Sequence, residues 1–398
     1  MKKSLFALVA LLLCIAVVSV QAETQPAAQA QAGNMPGKDI AQTVSLITGV
    51  AISPLLGVSA VGAWKYFEAK TPEQKAKLPW FANPLFWVPA LLLVAACVLK
   101  DTAGTVVPTV LKKPFDVAET IEHKVSGLVA TGAFVPIAAS IFSAKTGGGD
   151  GASLSLSALG FASIDLSWLY NAIMVPISMI AFFVVFLASN AINILILLSP
   201  FTSVDAALKG FRTAILASVA VTAWKNPWLG AAWALIIILI SWLIAGWSFR
   251  LSHFGLAFVW DYVTGRRRRF KPAPTANKVF LGRKINKVPI RTYGRLSRDE
   301  KGNLVLSFRP WLVLPTRTMT LPEGKYIAGK GVFFSEIQRL DGEKARTAIL
   351  LPPRYLGHEE ELVGIYGLTG VRDIGLRAAW AWLKGLLGLS EKAQVQTA

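Results

Sequence analysis

The sequence predicts an α-helical membrane bundle of about five spans, followed by a cytoplasmic antiparallel β-rich sandwich or barrel that ends in a helix. Three observations carry this expectation. Several apolar stretches reach the roughly 20 residues needed to cross a bilayer. The last third of the chain instead has short alternating, β-branched and aromatic runs separated by polar turn clusters. Four consecutive arginines, Arg266 to Arg269, stand where the oily part ends. A cationic run beside a last hydrophobic segment is retained on the cytoplasmic side.

Composition excludes an ordinary soluble protein. Of 398 residues, 54% are hydrophobic and 16% charged, with a mean hydropathy of +0.51; soluble domains carry about 25% charged residues. The net charge of +18 is unevenly placed. Residues 250–398 hold 26 Lys/Arg against 12 Asp/Glu, leaving 15 and 11 for the rest. The basic character belongs to the C-terminal part.

At the N-terminus, Lys2 and Lys3, the apolar run 5–18, and Val20, Gln21 and Ala22 have the order of a signal peptide, 1–22, cleaved after Ala22. An uncleaved anchor is the rival reading. Residues 23–42, rich in Ala and Gln, read as a disordered lead-in. Cys14 leaves with the signal peptide and Cys97 lies in an apolar stretch, so the mature chain has no disulfide framework or cysteine metal site.

The membrane domain is expected over 43–262. Its spans are 43–64, 80–99, a shorter one at 125–142, one within 166–201, and 228–249. The loop holding Lys65, Lys70, Lys75 and Lys77 against Glu68 and Glu73 is expected in the cytoplasm. An exterior mature N-terminus and an interior arginine run require an odd number of spans. Residues 202–227 strain that scheme, because Lys209, Arg212 and Lys225 would lie outside; an interfacial helix or a re-entrant hairpin is expected there. A double pass within 166–201 is the other solution. Pro54, Pro89, Pro136 and Pro176 mark kinks in or beside the spans.

A basic linker, 263–277, leads into the β-rich domain, 278–390, and a tail, 391–398. Strands are expected at 279–281, 289–296, 304–314, 326–337 and 345–351, and a largely helical stretch at 359–389. Strands followed by a helix resemble a pleckstrin-homology-type barrel plugged by its helix, a likeness of architecture without a diagnostic motif. In the membrane part, Pro84, Leu85, Phe86 and Trp87, then Lys100 and Asp101, then Pro114, Phe115 and Asp116 carry a second likeness. Residues 45–260 resemble an uncharacterised family of multi-spanning bacterial inner-membrane proteins, which implies location and topology but no activity.

No catalytic motif emerges. The run from Gly324 to Gly331 nearly matches a phosphate-binding loop, but Gly331 replaces the magnesium-binding Ser or Thr, and Val332, Phe333 and Phe334 read as strand where a helix is required. The Gly-rich segment 147–151 offers only Asp150 and reads as a connector. Of His123, His253 and His358, none has the partner of a zinc motif. Glu359, Glu360 and Glu361 suit the N-terminus of a helix. No cofactor or metal is expected.

Two sites are expected. Between Asp261 and Asp299 there is no acid, and Arg266, Arg267, Arg268, Arg269, Lys271, Lys278, Arg283, Lys284 and Lys287 form a lipid-binding strip continued by Arg291, Arg295 and Arg298. Asp165, Asn171, Asn190 and Asn193 form a candidate intramembrane polar site, with interhelical hydrogen bonding as the plainer role. The expected function is a non-enzymatic inner-membrane scaffold or adaptor that engages anionic phospholipid and a protein partner or a second copy. A transporter or channel component is the alternative, and a membrane-embedded lipid-modifying enzyme the third. Nucleic acid is not the expected partner, because the strip lacks a binding motif.

Overall fold

The protein is described by a computed structural model covering residues 38–103, 167–199, 202–341 and 344–375, with 120, 123–127, 129, 130, 132, 133 and 377. The expected signal peptide, most of the span at 125–142, the 147–151 connector, Asp165 and the tail lie outside the described residues. The chain divides into two units, Met1–Ser248 and Phe249–Ala398.

The elements described in the first unit are helices. The span expected at 43–64 is two helices, α1 (Lys38–Ile52) and α2 (Pro54–Glu68), so residues 38–42 of the expected lead-in are already helical. Pro54 accounts for the break: it lacks an N–H and suits the first position of a helix, where it stands behind Ser53 at φ −134°. The break leaves carbonyls at the end of α1 without helical partners. One of them, Ile52 O, accepts a hydrogen bond from Ser189 Oγ at 2.7 Å. Gly57 permits the tight return, since a Cβ there would lie 2.7 Å from Val50 Cα.

After α3 (Pro72–Ala76), capped reciprocally by Thr71 and Gln74, a 3-10 turn at Trp80–Ala82 buries Phe81 completely. It packs in one cluster with Val50, Val58, Phe182 and Val185. Then come α4 (Pro84–Ala103), α5 (Ser167–Leu198), α6 (Thr202–Lys225) and α7 (Pro227–Val263). Among the described residues three helices are long and apolar enough to cross a membrane: Pro176–Leu198, Ser203–Lys225 and Pro227–Val263. These are helices of a membrane protein. α5 is continuous, with Pro176 inside it, and does not turn near Asn190. The 202–227 region, expected as an interfacial helix or a re-entrant hairpin, holds one helix, Thr202–Lys225, of span length.

The second unit contains the C-terminal part of α7 and a mostly antiparallel eight-stranded sheet. Its strands are β1 (Ala276–Leu281), β2 (Tyr293–Arg298), β3 (Leu304–Phe308), β4 (Arg317–Thr320), β5 (Tyr326–Lys330), β6 (Ser335–Asp341), β7 (Lys344–Leu351) and β8 (Val371–Asp373). The order β4-β3-β2-β1-β7-β6-β5-β8 is two antiparallel meanders joined where β1 meets β7, with β8 added parallel to β5. Alternation sets the inner face: β3 buries Leu304, Leu306 and Phe308 and leaves Val305 and Ser307 half-exposed. One core cluster holds Leu296, Leu306, Ile337 and Ile349 from both meanders, with Tyr355 from the 3-10 turn Pro353–Tyr355 after β7.

Three sequence expectations change here. The strand expected over 304–314 stops at Phe308, because Trp311 and Leu312 have φ of 54° and 64°. The strand expected over 326–337 is a hairpin, turning at Gly331, where a Cβ would lie 2.1 Å from Phe334 O. The largely helical stretch expected over 359–389 is interrupted: α8 (Glu359–Tyr366) is closed by Gly367 at φ +61° and β8 follows, while Gly375 and Arg377 are helical again and the rest of 376–389 lies outside the described residues. β4 and β8 had no sequence signal.

Helix α8 is locked to the sheet through Tyr366. Its hydroxyl donates to Leu296 O at 3.0 Å and accepts from the Nδ2 of buried Asn277 at 2.8 Å. Removing the hydroxyl in Tyr366→Phe should cost about 1–3 kcal/mol, since buried polar groups lose their partner. Burial pushes the phenol up to about 12, against an opposing pull from the Asn277 hydrogen bonds. The unfolded chain ionises this tyrosine near its ordinary value of 10 while the folded chain keeps the proton. Its contribution is therefore full below pH 10 and lost as pH rises from 10 towards about 12. Thermal unfolding of the detergent-solubilised chain across that window should show a shallower alkaline loss for Tyr366→Phe; parallel curves would refute the assignment.

Candidate functional site

The basic strip begins in a single 3-10 turn, Arg266–Arg268, directly after α7. Arg267 Nε donates to Leu356 O at 2.8 Å and Arg269 Nη2 donates to Thr264 O at 2.7 Å, so two of the four guanidinium groups also fasten the linker. Arg266 is half-buried, whereas Arg267, Arg268, Arg269, Lys271 and Lys278 are exposed. Lys278 on β1 stands opposite Arg295 on β2, and both are exposed. Like charges directly opposite each other on a sheet destabilise it.

Further along, the strip meets two cavities. Arg283 and Lys284 border one of about 210 Å³, together with Tyr326 and Arg339. Arg339 has a carboxylate within reach, Asp341 at 3.8 Å. Lys287 borders the other, of about 250 Å³. Three segments build that second cavity: the α7 residues Phe249, Arg250 and His253, the β1–β2 loop, and the segment after β3 that returns as β4.

The charged side chains of the second cavity are of one sign. Arg250, Lys287, Arg291, Arg309 and Arg317 line it, and no Asp or Glu does. None of the five forms an ion pair among the described residues. Arg250 Nε donates to Ile290 O at 3.1 Å and Arg309 Nε to Thr316 Oγ1 at 3.0 Å, which fixes both stems. Arg291 Nε is buried with no hydrogen-bond partner. Burial first, and then the charge of Arg250, lower the Arg291 pKa below its ordinary value. The aromatic wall consists of Trp311 against Phe249, with ring centroids 5.3 Å apart, and Tyr293 against His253 at 4.8 Å.

Backbone strain concentrates at the same place. Among the described residues, the non-glycine residues with positive φ are Asn286, Lys287, Arg291, Trp311 and Leu312, and all five line this cavity. The left-handed conformation costs an L-residue about 1–2 kcal/mol, so such strain persists only where the surroundings hold it. Beside the cavity, Trp311, Leu312, Val313 and Leu314 are exposed by 53%, 39%, 82% and 44%. They are four of the six large hydrophobic residues exposed beyond Val263 among the described residues. A soluble surface rarely shows four in a row.

Compared with protein families, curated proteins and solved structures, the chain matches none.

Sequence reasoning found Lys287 and the continuation to Arg291, but missed Arg250, Arg309, Arg317 and Trp311. Their convergence depends on strand pairing: Phe308 lies opposite Arg317, bringing both ends of the 309–317 segment together. One signal was present, the apolar run from Trp311 to Leu314 set between Pro310 and Pro315.

The residues of the intramembrane polar site lie apart from this cavity in the sequence. Asp165 is outside the described residues, and Asn171 belongs to α5. Asn190 and Asn193 are buried on α5, and Arg212 on α6 donates through Nη1 to Asn193 Oδ1. His123 stacks on Phe186 with centroids 5.5 Å apart. In the second unit, His358 Nδ1 lies 2.9 Å from Glu361 Oε1, while buried Glu359 accepts from Ser335 Oγ at 2.7 Å in the first turn of α8. Among the described residues, no three His, Cys, Asp or Glu side chains are grouped to hold a metal.

Proposed function

We propose that the protein is a non-enzymatic inner-membrane scaffold or adaptor whose C-terminal domain lies on the cytoplasmic face and engages anionic phospholipid. The observation that carries this reading is the acid-free stretch 262–298, whose cations are mostly exposed and include the facing pair Lys278 and Arg295. A structural strip would be balanced by carboxylates. This one is left for an external anion, and each cation near an anionic leaflet contributes about 1 kcal/mol. The five-span topology, the periplasmic mature N-terminus and a protein partner or second copy belong to the same proposal; the arginine run after α7 supports its orientation.

The test uses the full chain in lipid nanodiscs, one set of phosphatidylcholine and one containing phosphatidylglycerol. Amide hydrogen exchange over 262–298 should slow in the anionic discs, and added salt should reverse the effect. Equal exchange in both lipids would sink the proposal.

A further inference from the structure

We infer that the cavity beside Trp311 is a headgroup site, in which the five cations take the phosphate of an anionic phospholipid while residues 311–314 lie against its acyl chains. This rests on the reading that the domain faces an anionic leaflet, and it names the ligand and the residues.

Charge is the first argument. Arg250 and Arg291 share one cavity with Lys287, Arg309 and Arg317, without a carboxylate. The buried, unpartnered Nε of Arg291 is an oriented donor. A guanidinium fork matches phosphate oxygens, which makes arginine the residue of choice for that group. Depth is the second. Arg250 is the first charged residue after the apolar run 228–249 of its own helix. Such a residue stands at the level of the headgroups, about 30 Å of hydrocarbon being spanned by the run before it.

Size and texture identify the rest of the ligand. About 250 Å³ is less than the roughly 300–1,000 Å³ of pockets that enclose a drug-sized molecule. The cavity takes a group, and the remainder of the molecule lies outside. What adjoins it there is the exposed apolar run from Trp311 to Leu314, so the remainder is apolar. A free phosphate or a nucleotide uses the cations but leaves that run in water. The left-handed Arg291 and Trp311 fit a site set before its ligand arrives.

The test is calorimetric titration of the full chain in neutral detergent with dihexanoyl phosphatidic acid, dihexanoyl phosphatidylcholine and inorganic phosphate. Phosphatidic acid should bind at least about tenfold more tightly than either of the others. The Arg291→Gln variant, and separately the double variant Arg309→Gln with Arg317→Gln, should each weaken it by about tenfold or more. Lys301→Gln, in the exposed β2–β3 turn, should bind as the wild type does. Arg309 and Arg317 are exposed, so their variant remains informative if Arg291→Gln does not fold. Inorganic phosphate binding as tightly as the lipid overturns the lipid assignment. Wild-type affinity in the double variant overturns the cavity. If residues 262–298 are still protected in anionic nanodiscs in that case, the surface reading stands and only the headgroup site falls.

Discussion

Asp261→Ala should destabilise the C-terminal unit by about 3–5 kcal/mol, the range for removing one partner of a buried ion pair. The Asp261 side chain is fully buried and that of Arg354 is 9% exposed. Arg354 Nε donates to Asp261 Oδ2 at 2.7 Å, and the Arg354 backbone N–H donates to the same oxygen at 3.3 Å. Alanine strands a buried guanidinium, so the penalty is mainly that of an unpaired buried charge. For a unit of this size each kcal/mol lowers Tm by about 2–4 °C, which puts the expected drop near 10 °C. The double change Asp261→Leu with Arg354→Met removes both charges and should restore most of that loss. If the double variant unfolds as early as the single one, packing rather than charge burial is at work, and the account of the pair is wrong.

Neutralising Arg266, Arg267, Arg268 and Arg269 to alanine should weaken docking of the C-terminal domain on anionic nanodiscs by up to about 4 kcal/mol at low salt. That is about 1 kcal/mol for each cation, close to a thousandfold in the docking equilibrium. Hydrogen exchange over 276–298 reports it, because the protection seen in anionic discs should fall to the level of neutral discs. At high salt the variant and the wild type should converge, since the Debye length shrinks to about 3 Å at 1 M. A variant that keeps its full anionic protection would show that the arginines act only in topology and in fastening the linker through Leu356 and Thr264.

Much of the layout is legible in the sequence. The apolar run 228–249 lies inside α7, the alternating C-terminal third is a sheet, and the polar turn clusters separate strands. What escapes has physical causes. Pro54 reads as a kink in a long span, yet its missing N–H and the help of Ser189 turn the kink into two helices. β4 has only four residues, one of them buried, and β8 has three, so neither shows a period to read. The strip was visible because its charges are consecutive or nearly so. The cavity was not, because Arg250, Arg291, Arg309 and Arg317 are gathered by pairing and by left-handed turns that no propensity predicts.

The two outer strands of the sheet carry a further consequence. β4 offers Arg317 and two exposed threonines and is followed closely by Pro322. β8 is three residues long, with Arg372 and Asp373 exposed. Proteins tethered to one surface meet far more often than those in free solution, and an open strand edge then becomes a template for endless pairing. Short, charged and proline-flanked edges deny that template. Crowding in the plane of a membrane can therefore raise the density of this domain without knitting neighbouring sheets into one, leaving lateral assembly to the faces and not to the backbone.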